Sequence, residues 1–174
     1  MNARFSYYLE PSADIRWNGE LKGRALMDIG CYCINASRFI FGSEPTSART
    51  IWRFDEERGV DVTTLSSLEF PEHRYASITC SMLMQSANRY EVIGTEGSLE
   101  LLAGFRPEKA DAVLMVKDGE GTEVVVVPGV DQYRLEIEHF SKCVLDNTPL
   151  SYPAENGMAN MKAIDLIRKG VDNN

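Results

Sequence analysis

Asp28 and Tyr32 stand four residues apart in the stretch KGRALMDIGCYCINASRFIFG, residues 22–42. On a helix that spacing puts both on one face, one turn apart and within mutual reach. A carboxylate beside a phenol can orient it, or build a hydrogen-bond network that moves a proton to or from an alcohol or carbonyl oxygen. Two plainer readings compete. A carboxylate near a helix N-terminus is favoured by the macrodipole, and a half-buried tyrosine is ordinary in any core.

Holding such a pair takes a rigid element, and the pattern supplies one. Over 25–41 apolar residues recur as Leu26, Ile29, Cys33, Ile34 and Phe41, which predicts a helix stopped by Gly42 and Pro45. Residues 3–9 read as a strand, and 10–23, with Pro11, Gly19 and Gly23, as a loop. After the helix the period changes to two. Residues 50–54, 60–70, 75–84, 90–93, 98–102, 112–116 and 122–127 are predicted strands, separated by the turn sequences EERG, FPEH, GTEG and DGEG that suit antiparallel neighbours. Helical spacing returns behind Asp131, a candidate N-cap, with Tyr133, Ile137, Phe140 and Val144 on one face. A last helix over 154–169 is ended by Gly170.

This order predicts one α+β domain over 1–174: an open, predominantly antiparallel β-sheet with helices on one face. Several strands are apolar on both sides, most of all 124–127, which predicts that part of the other face is covered between subunits. The alternative is an unusually hydrophobic central strand pair.

Composition narrows the function classes. Hydrophobic residues make up 44% and charged residues 25% of the 174, an ordinary globular balance. No apolar run approaches the roughly 20 residues of a spanning helix. The opening MNARFSYYLEP is no secretory signal, so a cytoplasmic setting is the expectation and no membrane partner is. A net charge of −8 argues against a nucleic-acid partner. Cys31 and Cys33 point to different helix faces, Cys80 and Cys143 are remote, and His73 and His139 are the only histidines. Buried free thiols and no metal site are expected.

Four segments, in order, resemble the C-terminal domain of the glucose-fructose oxidoreductase, inositol dehydrogenase and rhizopine-catabolism (Gfo/Idh/MocA) family of NAD(P)-dependent oxidoreductases. They are ALMDIGCY within 22–42, RYEVIGTEGSLEL at 89–101, VDQYRLE at 130–136 and ENGMAN at 155–160. The resemblance places the family's Asp-x-x-x-His/Tyr pair on Asp28 and Tyr32. It implies that Tyr32 faces the nicotinamide and the substrate hydroxyl as proton donor or acceptor, and that Asp28 positions the substrate or tunes Tyr32. The tyrosine form is that of the glucose-fructose oxidoreductase, dihydrodiol dehydrogenase and xylose dehydrogenase branch. Where the family carries three glycines, this chain has Lys22, Gly23 and Arg24. Two long cations there would narrow the pocket or recruit an anionic group, or else lie on the surface. Arg16 and Tyr133 join Arg24 as substrate-binding candidates.

The glycine-rich dinucleotide fingerprint is absent, since GTEG at 94–97 reads as a hairpin turn, and so is the family's Glu-Lys-Pro segment. Both would belong to an N-terminal nucleotide-binding (Rossmann) domain. The chain therefore reads as a fragment whose complete enzyme uses NAD or NADP, with none bound to this chain alone and no turnover in isolation. The expected substrate is a sugar, a polyol or a related alcohol or carbonyl, and the expected assembly a homodimer or tetramer through the open sheet face. Two other readings are a non-catalytic homodimerisation module and a stand-alone carbohydrate-binding domain with Trp17 and Trp52 as stacking platforms.

Overall fold

The computed structural model describes residues 1–106 and 109–171. Strand β1, Asn2–Tyr8, is followed by a short 3-10 turn, Ile15–Trp17, and then by a π-helical turn, Leu26–Gly30, that runs straight into α1, Cys31–Phe41. Seven strands follow: β2, Ser47–Asp55; β3, Val60–Phe70; β4, Arg74–Ser81; β5, Leu83–Ile93; β6, Gly97–Leu102; β7, Ala112–Asp118; and β8, Thr122–Val127. Helices α2, Gln132–Asp146, and α3, Ala154–Lys169, close the chain.

The strands form one open sheet in the order β2-β3-β4-β1-β5-β6-β7-β8. The β1–β4 pair is parallel and every other neighbouring pair antiparallel, so the sheet is mixed but predominantly antiparallel. The predicted strand over 75–84 is in fact two. It breaks at Met82, whose carbonyl accepts from Leu9 N–H at 2.8 Å, and the chain doubles back around the end of β1. The expected strand at 90–93 is only the last part of β5.

Alternation decides which side of each strand is buried. Ala3 of β1, Val60, Val62, Leu68 and Phe70 in β3, and Ala76, Ile78 and Cys80 of β4 point into a core closed by Leu26, Ile29, Cys33 and Ile34 and by Ala163, Ile164 and Ile167 of α3. Each aliphatic side chain buried there contributes about 1.5–3 kcal/mol. Gly42, at φ 58, ends α1 in the left-handed conformation. Gly170 ends α3 where its carbonyl accepts from Thr50 N–H at 2.7 Å, and a Cβ there would stand 2.3 Å from the Ala48 carbonyl oxygen.

The helical cover lies over only part of the sheet. Between residues 83 and 142 no described residue is buried. Asp131 caps α2 by accepting from Arg134 N–H, as its position in the sequence suggested. Its apolar face, Tyr133, Ile137, Phe140 and Val144, is nevertheless more than half exposed, and Cys143 alone is buried. The valines of 124–127 belong to an edge strand, not a central pair.

Candidate active site

Asp28 does not sit on a regular α-helix. The N–H of Cys31 reaches back five residues to the carbonyl of Leu26, widening the first turn into a single π turn. Two contacts fix that turn against the sheet. Leu26 N–H donates to Asp61 Oδ2 of β3 at 2.8 Å, and Thr64 Oγ1 donates to the same oxygen at 3.0 Å. Gly30 lies so close to β4 that a Cβ would come within 2.8 Å of Cys80 Sγ. Asp61 is fully buried, and burial holds its carboxyl above the ordinary range despite the opposing charges of Arg24 and Arg168.

In this setting Asp28 meets a phenol other than the expected one. Tyr7 of β1 donates its hydroxyl proton to Asp28 Oδ2. Tyr32 has no hydrogen-bond partner among the described residues; its ring packs edge-on against Phe5 at 5.6 Å and tilted against Phe105 at 6.4 Å. Burial, then neighbouring negative charge, raises the Tyr32 phenol above its ordinary value, so it is held protonated at neutral pH. Burial, then the hydrogen bond it donates to Asp28, raises the Tyr7 phenol as well.

Arg16 comes from the 3-10 turn. Asp14 caps that turn through Arg16 N–H and grips the guanidinium at 2.8 Å through both carboxylate oxygens. Arg16 Nη1 then donates to the Tyr7 hydroxyl at 3.4 Å, with its guanidinium carbon 5.7 Å from the Tyr7 ring centroid. The close approach that makes this possible is at Gly23, where a Cβ would lie 2.1 Å from the Ile15 carbonyl oxygen.

These groups line one cavity of about 400 Å³. Of the residues expected from sequence, Arg16, Asp28, Tyr32 and Tyr133 meet there. Arg24 does not: its charge lies near Asp61, and its Nε is buried without a partner among the described residues. Lys22 is exposed with φ 63, in the left-handed region where the related pattern has glycine. Sequence reasoning missed Tyr7, Phe105 and Arg106. Tyr7 was within reach, since alternation puts it on the same face as Ala3 and Phe5. Phe105 and Arg106 lie in a loop with no pattern to mark them.

A helix-faced open sheet thus presents a carboxylate and a phenol over its central strand. The sequence model described as GFO/IDH/MocA C-terminal domain matches residues 1–100, and the chain belongs to that family. It is 32% identical over 156 residues to a D-xylose 1-dehydrogenase [NADP(+)] of Haloarcula marismortui, covering 87% of this chain and 43% of that one. It is 27% identical over 170 residues to a dTDP-3,4-didehydro-2,6-dideoxy-alpha-D-glucose 3-reductase of Actinomadura kijaniata, covering 97% and 51%. Among solved structures it superimposes on a 3-ketoreductase from Actinomadura kijaniata in complex with NADP and TDP-benzene. The TM-score is 0.87 at 28% identity, covering 98% of this chain and 53% of that one. The chain thus spans about half the length of these relatives, which are sugar-related, NADP-linked oxidoreductases.

Proposed function

We propose that the chain is the substrate-side domain of an NAD(P)-dependent oxidoreductase acting on a sugar, a polyol or a related alcohol or carbonyl. The observation that carries this reading is the meeting of the Tyr32 hydroxyl and the Asp28 carboxylate at one cavity, each on a backbone held rigidly against the sheet. Tyr32, protonated and without a hydrogen-bond partner among the described residues, gives its proton to a carbonyl oxygen or takes one from a hydroxyl. Asp28 accepts from a neighbouring substrate hydroxyl and fixes the reacting carbon. Tyr133 and Phe105 offer flat apolar walls to the ring, and Arg16 a cation.

The nicotinamide supplies or receives the hydride when bound. The described residues contain no glycine-rich turn between a strand and a helix N-terminus that would cradle its pyrophosphate, because Gly94 and Gly97 belong to the β5–β6 hairpin. NAD or NADP is therefore assigned to a nucleotide-binding domain outside this chain, and the chain alone is expected not to turn over. The cell compartment proposed is the cytoplasm.

The open sheet face favours a homodimer or tetramer. Ile51, Leu65, Tyr75, Ile93 and Val124 are exposed along the strands, beside a polar groove at Arg4, Arg89, Glu91 and Glu100. Sedimentation of the chain tests this, and a monomer at high concentration would remove the interface. For the reaction, Tyr32→Phe and Asp28→Ala in the full-length protein should each lower kcat/KM by about 100-fold or more. Activity retained in both variants would end the assignment.

A further inference from the structure

Tyr7 has no role in the reaction as just described, yet it lines the same cavity. Its hydroxyl donates to Asp28 Oδ2 and accepts from Arg16 Nη1, and Arg16 is itself locked by Asp14. Asp14 and Arg16 come from the 3-10 turn, Tyr7 from the central strand and Asp28 from the π turn. Three separately anchored pieces of backbone are therefore joined through the Tyr7 hydroxyl. The other oxygen, Oδ1, makes no hydrogen bond to a described residue, although Asp28 lines the cavity. Packing alone does not call for a hydroxyl here. Ala3 and Phe5, on the same face of β1, fill their places without one, and a half-buried phenol loses hydration that only a strong acceptor restores.

We propose that Tyr7 is the positioning residue for Asp28. By holding Oδ2 it turns Oδ1 toward the substrate hydroxyl and uncouples Asp28 from Tyr32, which leaves Tyr32 to move the proton by itself. The inference rests on the oxidoreductase reading and refines it: the functional unit is Arg16, Tyr7 and Asp28 on one side of the substrate, with Tyr32 on the other.

Removing the hydroxyl frees the Asp28 carboxylate to turn, so the loss acts through Asp28. In the full-length protein Tyr7→Phe should lower kcat/KM by about 10-fold to 100-fold, the span of a hydrogen bond to a charged group. In an Asp28→Ala background the same change should cost almost nothing more, whereas a merely structural role would cost as much in either background. A readout without turnover is 3-fluorotyrosine at position 7: its 19F resonance should move in Asp28→Asn and stay in place in Tyr32→Phe. This readout keeps the positioning claim separable from the oxidoreductase reading should no activity be found. A full Tyr7→Phe effect in the Asp28→Ala background, or a 19F resonance indifferent to Asp28→Asn, would overturn the proposal.

Discussion

The backbone N–H of Leu26 donates to Asp61 Oδ2 at 2.8 Å, so the turn that carries Asp28 hangs from a fully buried carboxylate on β3. Truncating that carboxylate leaves the Leu26 N–H and the Thr64 hydroxyl unpaired inside the core. Asp61→Ala should cost about 2–4 kcal/mol in urea unfolding. A loss under about 1 kcal/mol would mean the turn is held by packing alone.

The same residue gives a pH signature. Its carboxyl is raised in the fold, chiefly by burial, so the folded state favours the protonated form. That contribution is fully present below the ordinary value of 3.8 and is lost as pH rises through the folded value. Asp61→Asn keeps an acceptor for Leu26 and cannot ionise, so its stability relative to the parent chain should improve as pH rises from about 4 to neutrality. A difference that stays constant over that span would contradict the assignment.

Lys22 holds φ 63 with a side chain exposed to solvent. Lys22→Gly should therefore raise stability by about 0.5–1 kcal/mol, read as a higher Tm, because the relief of left-handed strain exceeds the entropy glycine adds to the unfolded chain. Its neighbour behaves oppositely. Gly23→Ala drives a Cβ to within 2.1 Å of the Ile15 carbonyl oxygen and should cost more than about 3 kcal/mol, dislodging Arg16 from the cavity.

The four thiols differ in their protection. Cys33 and Cys80 are fully buried and pushed up by burial, while half-buried Cys31 is pushed up to about 11. Since the thiolate is the reacting form, native protein at pH 8 should label slowly with a disulfide reagent, and all four cysteines should label at once in denaturant. Fast native labelling at Cys33 or Cys80 would show that the core under α1 opens.

Much of this was legible from period and punctuation. The helix over 25–41, most of the strands, the Asp131 cap and the open helix-faced sheet follow from alternation, 3.6-residue spacing and glycine stops, all of which are local. What local pattern does not carry is pairing. Nothing within 3–9 names β4 and β5 as its partners, so the central place of β1 stayed hidden, and with it the meeting of Tyr7 and Asp28. The π turn was hidden for a related reason: Leu26, Ile29 and Cys33 suit either helix, and the choice is made by Asp61 and Cys80 from across the core. Arg24 shows the limit of reasoning by departure from a pattern. A cation where glycine is usual signalled a change, and its charge acts on buried Asp61, not on the cavity.

The placement of β1 also sets an order of events. Asn2 pairs with Ser77 on one side and Glu91 on the other, so the first strand has no partners until β4 and β5 are in place. The hairpins β2–β3–β4 and β5–β6 are local and form early, and β1 must then enter the slot between β4 and β5 as a wedge. Closure of so long a loop places folding in the slow regime of non-local sheets, milliseconds to seconds, with the wedge as its last step. Tyr7 rides on that wedge, so the carboxylate site is assembled only when β1 is seated between β4 and β5.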